Sequence, residues 1–487
     1  MSDAITEFGD FQTSIDLASR VCRLLAANSH APASVLEPTC GVGAFLEAAA
    51  MVWPGATLSG VEINPEYVAE AAKRLSGRAS IHNGDFFTVD WDGLLKRQPQ
   101  PLLVVGNLPW VTNAKVGSIG GSNLPEKSNF QKRKGFDAMT GKSNFDISEW
   151  MLIRMLNWLA DRKITIALLC KSAVARKALV HAWKHSIPIR SAIRLIDAKK
   201  EFNVSVDACL LIIEPSSKEI MECPVFPGLD AIEPHQTIGY RQRHLISNIA
   251  TYEPCHHLIG NSPFKWRSGI KHDCSKIMEF TEDDAGQLTN NLGEIVDLED
   301  TYLFPMLKSS CIANGRVTNP RKWMLVPQQT VNESTAHIAD DAPKTWEYLT
   351  RHKAMLAKRG SSIYKDRSPF SIFGVGDYSF TPWKVAISGF YHRLDFRLVT
   401  THRHKPIVVD DTINFIPCES REGAELLLRL LNSDTAREFF GAFIFWDAKR
   451  PITTEILQKL NLCALAEHLG ESIPLTEYDG TKELLFA

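Results

Sequence analysis

The chain has 487 residues, a formal net charge of −2, and 44% hydrophobic and 23% charged residues. These values are those of an ordinary soluble protein that is long enough for two or more domains, each with its own core. The near-neutral charge argues against a protein that binds nucleic acid over its whole surface, but it is compatible with a local basic face.

The cysteines and the N-terminal residues indicate the compartment. The ten cysteines are scattered without a CxxC pair, as expected of a protein from a reducing cytoplasm. Residues 1–10 are acidic and lack the basic-then-apolar pattern of a secretion signal. No apolar run approaches the ~20 residues that span a bilayer, so we expect a cytoplasmic protein without a membrane partner.

The N-terminal part alternates between predicted helices and strands. A helical pattern over 15–25 follows Thr13 and Ser14, either of which is suited to cap the helix. A buried strand beginning at Ser34 breaks into the turn Thr39-Cys40-Gly41-Val42-Gly43 and then a helix. The two glycines let a ligand approach the backbone closely, and the helix N-terminus favours a negatively charged group such as a carboxylate.

The next two strands also end in residues suited to ligand binding. The strand at 57–61 ends at Glu62 and Ile63, about 20 positions after the glycines, where a carboxylate can bind ribose hydroxyls. A third strand leads to Asp85 and Phe86. This carboxylate can accept a hydrogen bond from an adenine amino group while the ring packs on the base.

The fourth strand ends in a polar-X-Pro-aromatic tetrapeptide, Asn107-Leu108-Pro109-Trp110. The amide oxygen of Asn107 and a backbone carbonyl can accept hydrogen bonds from an exocyclic amino group, while the ring of Trp110 stacks on the base. The four motifs follow four successive strands, at the edge where an α/β sheet binds its ligands. This arrangement could aim the amino group of a nucleobase at a methyl donor.

Together the motifs resemble the S-adenosylmethionine site of amino-group DNA methyltransferases, specifically the N6-adenine enzymes of restriction-modification systems with the gamma motif order. The resemblance covers roughly residues 8–214. It implies an α/β, Rossmann-like class I methyltransferase domain followed by a mixed α+β target-recognition domain. Because the α/β alternation stops after Pro215, we expect a catalytic domain at 1–215 and a DNA-recognition domain at 216–487. The long polar segment 112–148 predicts either a mobile loop ordered by nucleic acid or a plain solvated loop.

The resemblance also implies a role for each motif residue. The residues implied to bind S-adenosylmethionine are Thr13, Glu37, Thr39, Cys40, Gly41, Gly43, Glu62, Ile63, Asp85, Phe86 and Asn107. The implied catalytic residues are Asn107, Leu108, Pro109 and Trp110. Phe202 matches an aromatic position that packs on the flipped adenine opposite Trp110, with a core position as the alternative. The family usually has Pro at position 108, but the backbone carbonyl does the chemical work there, so Leu can serve if the turn is held.

The C-terminal half contains a local basic region. Eleven Lys or Arg stand against three Asp between Arg351 and Lys405. The segments 266–272 and 302–308 mix aromatic residues with cations, a mixture that suits base stacking and phosphate contact, although a solvated charged surface is the alternative. The candidate DNA contacts, three of them from the segment 112–148, are Lys132, Arg133, Lys134, Arg267, Lys271, Lys308 and Lys384.

No metal and no covalent intermediate is expected. Cys255, His256, His257, His272 and Cys274 fit no standard zinc spacing, so we expect ordinary side chains there. We expect duplex DNA as the partner, in a bacterial or archaeal cytoplasm at the nucleoid. We find no paired-carboxylate nuclease core, so any restriction endonuclease would be a separate chain.

Several other activities share parts of this pattern. N4-cytosine DNA methyltransferases use the same site, commonly with Ser-Pro-Pro, and RNA adenine or protein-glutamine methyltransferases share the N-X-P-aromatic tetrapeptide. A C5-cytosine mechanism requires a Pro-Cys nucleophile after the fourth strand, but Pro-Cys occurs only at 254–255 and 417–418. A DNA-binding subunit with an inactive methyltransferase fold is a further alternative. The large C-terminal region favours the DNA enzymes.

Overall fold

The computed structural model describes residues 12–110, 146–160 and 162–473. The chain divides into two compact units between Ala250 and Thr251. The predicted DNA contacts Lys132, Arg133 and Lys134 lie outside the described residues, as does most of the predicted loop 112–148.

The first unit is built on one ten-stranded sheet with helices packed against it. Its strands are β1 (Ser34–Glu37), β2 (Thr57–Glu62), β3 (Ala79–Asn83), β4 (Leu102–Asn107), β5 (Ile164–Lys171), β6 (Ile189–Ile196), β7 (Ala208–Pro215), β8 (Glu222–Phe226), β9 (Gln236–Arg241) and β10 (His244–Ile246). Its helices are α1 (Ile15–Ala27), α2 (Ala44–Val52), α3 (Pro65–Arg74), α4 (Trp91–Lys96), α5 (Ile147–Leu156), α6 (Ser172–Lys184) and α7 (Ala198–Phe202).

The strand order confirms the predicted fold class. The order across the sheet is β10-β9-β8-β6-β7-β5-β4-β1-β2-β3. In the part of the sheet ordered β3-β2-β1-β4-β5, each strand is parallel to its neighbour. The strand β7 lies between β5 and β6 and is antiparallel to both. The seven strands in the order β3-β2-β1-β4-β5-β7-β6, parallel except for β7, form the Rossmann-like class I methyltransferase arrangement.

Apolar faces on the sheet and on two helices form the core that holds the carboxyl ends of the strands in place. Leu17 and Val21 of α1, Phe45 and Leu46 of α2, and Val35 of β1 are fully buried in one cluster. Leu17 and Val21 are four residues apart, so helix spacing places them on one face of α1, and β1 is buried along its whole length, as expected of a central parallel strand. The core therefore fixes the strand ends that carry the motifs.

The first unit is longer than the predicted catalytic domain. The α/β alternation does stop at Pro215, but β8, β9 and β10 continue the same sheet and the unit ends at Ala250. These short strands have no helices between them, so the alternating pattern does not mark them. The last two residues of the predicted loop 112–148 belong to α5, which begins at Ile147.

The second unit is mixed α+β. Its strands are β11 (Arg267–Ser268), β12 (Glu279–Glu282), β13 (Leu288–Asn290), β14 (Ile295–Val296), β15 (Leu303–Leu307), β16 (Lys322–Leu325), β17 (Trp383–Ser388), β18 (Arg397–Val399), β19 (Thr401–His402), β20 (Lys405–Pro406), β21 (Val408–Val409) and β22 (Ile413–Cys418). The helices from the unit boundary onward are α8 (Ile249–Cys255), α9 (Ser275–Met278), α10 (Ser309–Ala313), α11 (Ile338–Asp341), α12 (Pro343–Arg351), α13 (Lys353–Leu356), α14 (Arg421–Leu431), α15 (Asp434–Gly441), α16 (Thr454–Leu457) and α17 (Leu462–His468).

The described residues of this unit form three sheets. Six strands follow the order β14-β13-β12-β16-β15-β21, four follow β11-β22-β17-β18, and β19 pairs with β20. The helices α14 and α15 follow β22 near the C-terminal end of the described residues. Across the described ranges of both units, none of the helices has the length and apolar character needed to cross a bilayer.

Candidate active site

The predicted motifs meet at the carboxyl ends of β1, β2 and β4. The chain builds the sheet outward from β1 to β2 and β3 on one side, and from β4 to β5 on the other. The two neighbouring strands at this switch point, β1 and β4, therefore send their connections in opposite directions. A crevice opens at the carboxyl ends of such a pair, and open α/β sheets bind their ligands there.

Two glycines with left-handed backbone shape the turn after β1. The φ angle is +49° at Gly41 and +82° at Gly43, and a Cβ on Gly41 would lie 2.9 Å from Oε1 of Gln12. The N–H of Cys40 donates to the carbonyl of Val61 at 2.9 Å, which ties the turn to β2. Helix α2 begins directly after Gly43, so its N-terminus opens at the crevice.

Glu62 is fixed by the backbone around it. Its two carboxylate oxygens accept hydrogen bonds from the N–H groups of Gly41 (2.9 Å) and Asn64 (2.8 Å). The side chain of Asn83 donates to the carbonyls of Glu62 and Ile63, which holds the end of β2. Each carboxylate oxygen has a second lone pair, so a ribose hydroxyl can still donate to this group.

Glu37 is a buried carboxyl group with an oxygen that makes no hydrogen bond within the described residues. Its side chain is 3% exposed, and Oε2 is the atom without a partner. Burial raises the pKa of Glu37 well above its ordinary value; the N–H of Leu46 opposes this rise, and the charge of Glu62 adds to it. A Cβ at Gly106 would lie 3.2 Å from Cγ of Glu37, so a glycine in β4 makes room for this carboxyl. A cationic ligand would satisfy Oε2 and favour the ionised form.

The tetrapeptide after β4 is held by hydrogen bonds to its main chain. The hydroxyl of Thr39 donates to the carbonyl of Asn107 at 3.2 Å, and the N–H of Leu108 donates to the carbonyl of Leu169 in β5 at 3.2 Å. A proline at position 108 has no N–H and could not make the second bond. The departure from the usual family tetrapeptide is thus matched by a bond that only a non-proline residue can form.

Trp110 and Phe202 lie in direct contact. Their ring centroids are 4.9 Å apart with the planes at 67°, and Ala198 and Ala208 are buried beside them. A base stacked between two rings requires planes that are parallel and ~7 Å apart, twice the ~3.4 Å rise of stacked bases. In the conformation described, the two rings therefore fill the gap themselves, and the role of Phe202 opposite Trp110 stays a prediction.

Asp85 and Phe86 follow β3 as predicted, but Phe86 belongs to an aromatic cluster that sequence reasoning missed. Its ring centroid lies 5.0 Å from that of Trp91 and 6.1 Å from that of Trp158, and its side chain is buried. The carboxylate of Asp85 accepts from the N–H of Phe87 at 2.9 Å. Trp91 is five residues from Phe86, but Trp158 comes from a distant segment, so no local spacing in the sequence signals the complete cluster.

Ser14, the second of the two predicted capping residues, caps α1, with its hydroxyl accepting from the N–H of Leu17 at 3.2 Å. The cofactor role implied for Thr13 stays a prediction. Arg20 of α1 forms a 2.5 Å ion pair with Glu201, the residue before Phe202. This pair joins the N-terminal helix to α7, and its partners are too far apart in sequence to be recognised there.

In the second unit, two predicted DNA contacts already pair with acids and one lies over an aromatic ring. Lys271 pairs with Asp273 at 3.3 Å, and Lys308 with the buried Glu279 at 2.6 Å. The guanidinium of Arg267 lies 4.5 Å from the ring centroid of Tyr378. The net charge offered by these cations is therefore smaller than the count of basic residues suggests.

The prediction that Lys384 contacts DNA is wrong for this fold. Its side chain is 1% exposed on β17, and Nζ donates to the carbonyl of Thr381 at 2.6 Å. Burial lowers the pKa of Lys384 to about 7. One of the eleven basic residues counted between Arg351 and Lys405 thus lies in the interior.

The Cys and His group is dispersed among other contacts. Nε2 of His272 lies 3.3 Å from Glu279, and its Nδ1 accepts from the backbone N–H of Cys274 at 3.1 Å. The ring of His257 lies against that of His468 instead. Within the part of the chain that the structure describes, no three His, Cys, Asp or Glu side chains are grouped as metal ligands.

No protein-family model matches the chain. Among solved structures, the type IIG restriction endonuclease BpuSI aligns with 92% of this chain and 58% of its own, at 13% identity and a TM-score of 0.37. The 23S rRNA methyltransferase ErmE aligns with 43% of this chain and 71% of its own, at 15% identity and a TM-score of 0.27.

Two curated relatives carry methyltransferase names. Type II methyltransferase M.CvrRI of Paramecium bursaria Chlorella virus XZ-6E is 33% identical over 81 residues, which are 17% of this chain and 19% of that protein. Type II methyltransferase M.NspV of Nostoc sp. (strain ATCC 29411 / PCC 7524) is 44% identical over 471 residues, which are 95% of this chain and 97% of that protein. With this identity along nearly the whole of both sequences, the chain belongs to the type II methyltransferases of restriction-modification systems.

Proposed function

We propose that this protein transfers the methyl group of S-adenosylmethionine to N6 of an adenine flipped out of duplex DNA. The observation that carries the proposal is the position of Asn107-Leu108-Pro109-Trp110, which ends β4 beside the Gly-rich turn and the buried carboxyl of Glu37. An acceptor pair for an amino group thus lies at the crevice where the sheet would hold a methyl donor.

The residues around the crevice suit S-adenosylmethionine. Glu37 offers a buried oxygen without a hydrogen-bond partner to a cationic group, and Glu62 offers fixed lone pairs to ribose hydroxyls. Gly41 and Gly43 leave the backbone open to close approach by the amino-acid part of the cofactor. When bound, the cofactor supplies an electrophilic methyl group on a sulfonium centre.

Asn107 and Leu108 would activate the target nitrogen. The lone pair of adenine N6 is delocalised into the ring, so the amino group is a poor nucleophile. If its two N–H bonds donate to the Asn107 amide oxygen and the Leu108 carbonyl, the nitrogen becomes pyramidal and its lone pair is oriented toward the methyl group. Stacking on Trp110 would offset part of the few kcal/mol that unpairing a base costs.

The substrate and setting follow from the family and remain part of the proposal. Type II methyltransferases are the modification partners of restriction enzymes, which supports DNA as the substrate and protection of host DNA as the role. The second unit would recognise the target sequence, with Arg267, Lys271 and Lys308 as candidate contacts. A separate restriction endonuclease and a cytoplasmic location at the nucleoid complete the proposal.

Transfer of a tritiated methyl group tests the substrate class. The purified protein is incubated with labelled S-adenosylmethionine and, in parallel, unmethylated DNA, total RNA and a protein extract. We expect label in DNA, and Asn107→Ala should abolish transfer while cofactor binding by calorimetry stays within a few-fold of wild type. Label confined to RNA or protein overturns the proposal, and full activity of Asn107→Ala overturns the catalytic assignment.

A further inference from the structure

Lys171 connects the catalytic tetrapeptide to a second element of the first unit. It is the last residue of β5, two positions beyond Leu169, whose carbonyl accepts from the N–H of Leu108. Nζ of Lys171 donates to the carbonyl of Trp110 at 3.2 Å and to Oδ2 of Asp146 at 2.5 Å. A single ammonium group thus contacts the last residue of the tetrapeptide and the residue before α5.

Asp146 is a firm anchor for this ammonium group. Its side chain is 8% exposed, compared with 22% for Lys171. Its Oδ1 accepts from both the N–H and the hydroxyl of Ser148, so the same carboxylate caps α5. Charge-assisted hydrogen bonds of this kind are short and directional, and they fix the position of Nζ.

The tetrapeptide needs such an anchor at its C-terminal end. The Thr39 hydroxyl and the Leu169 carbonyl hold Asn107 and Leu108, but Pro109 has no N–H with which to fix the turn. The bond from Lys171 to the Trp110 carbonyl holds the far side of Pro109. The direction of the Leu108 carbonyl depends on both ends of this turn.

We propose that Lys171 is a positioning residue for methyl transfer, which orients the Leu108 carbonyl and the Trp110 ring through its bond to the Trp110 backbone. This inference rests on the proposed function of the tetrapeptide. Lys171 itself touches neither the methyl donor nor the target nitrogen in this account. Its contribution should therefore fall on kcat and not on cofactor affinity.

Lys171→Met tests the inference, since Met keeps the length and apolar stem of the side chain without its donors. We expect kcat on unmethylated DNA to fall about 10- to 100-fold, the range seen when residues that orient metal ligands are lost, and the Kd for S-adenosylmethionine to change less than threefold. Lys171→Arg, which restores a cation with several donors, should recover most of the lost kcat. A kcat within twofold of wild type for Lys171→Met overturns the inference.

The double variant Lys171→Met/Asp146→Asn separates positioning from charge balance. Removal of Lys171 alone leaves the buried Asp146 carboxylate without this cation, which destabilises the fold by itself. The double variant should regain thermal stability but not kcat, because the Trp110 carbonyl still lacks its donor. Recovery of kcat together with stability overturns the positioning role.

Lys177→Met is a control at a second ion pair, which joins α6 to α5 near Lys171. Lys177 of α6 pairs at 2.6 Å with Glu149 of α5, whose side chain is 1% exposed, much as Lys171 pairs with Asp146. The proposal gives Lys177 no role in positioning the tetrapeptide. The kcat of Lys177→Met should therefore stay within twofold of wild type. An equal loss of kcat in this control overturns the inference. If wild type labels no DNA, the proposed function fails, and the ratio of the variants on the labelled substrate still tests Lys171.

Discussion

Replacement of Lys384 by Met should stabilise the second unit at neutral pH. Lys384 is 1% exposed, and burial lowers its pKa from 10.5 to about 7. The unfolded chain has the ordinary pKa, so below pH 7 both states are protonated and the fold carries the full cost of a buried charge. Between pH 7 and about 10.5 the folded state has released the proton while the unfolded state still holds it, and the cost falls as the pH rises. Above about pH 10.5 both states are neutral and the cost has disappeared.

The size of the effect follows from the same shift. A difference of about 3.5 pKa units at 1.36 kcal/mol each corresponds to roughly 5 kcal/mol at or below pH 7. Met fills a similar volume but leaves the Thr381 carbonyl without this donor, which costs about 1–3 kcal/mol. We therefore expect Lys384→Met to raise the free energy of unfolding by about 2–4 kcal/mol at pH 6–7 and to lose this advantage near pH 10.5.

Urea denaturation from pH 6 to pH 10.5, followed by circular dichroism, measures this difference between variant and wild type. Groups other than position 384 titrate equally in both proteins, so the difference isolates the lysine. Lys353→Met removes an exposed lysine of the same unit and should keep the wild-type pH dependence. A variant that is no more stable than wild type at pH 6, or a difference that does not change with pH, refutes the reasoning. DNA affinity should be unchanged in Lys384→Met, as expected of a lysine inside the fold.

Two further substitutions test the first unit. Glu37→Gln should raise the thermal midpoint of the cofactor-free protein at pH 8. The pKa of Glu37 is raised in the folded state, so this carboxyl makes the fold less stable as the pH rises above about 4.5, and Gln does not ionise. It should also weaken S-adenosylmethionine binding by calorimetry at least tenfold; unchanged affinity would contradict the assignment of Glu37. Leu108→Pro restores the usual family tetrapeptide but removes the donor to the Leu169 carbonyl, so denaturant unfolding should show a loss of about 1–3 kcal/mol. A stability equal to wild type would show that this bond contributes nothing.

The sequence was sufficient to predict the parts of the fold that depend on local patterns. The run of β-branched residues before Asn107 and the glycines at 41 and 43 mark strand ends and a turn, and those features lie where the spacing predicts them. Such signals depend on neighbouring residues, so one sequence is enough to recognise them.

Contacts between distant residues could not be predicted in the same way. The bond from Lys171 to Trp110 and the ring contact between Trp110 and Phe202 depend on how β4, β5 and α7 come together. The burial of Lys384 cannot be recognised from the sequence, because β17 is buried along most of its length and no alternating pattern distinguishes its faces. That β8, β9 and β10 continue the first sheet beyond Pro215 depends on strand pairing, which one sequence does not reveal.

The identity of the methylated base tests the central claim most directly. DNA from a host that lacks its own DNA methyltransferases and expresses this protein is hydrolysed to nucleosides and measured by mass spectrometry, with Asn107→Ala expressed in parallel. We expect N6-methyladenine in the wild-type sample and none in the Asn107→Ala sample. N4-methylcytosine in place of N6-methyladenine, or no modified base in DNA from cells with active protein, would contradict it.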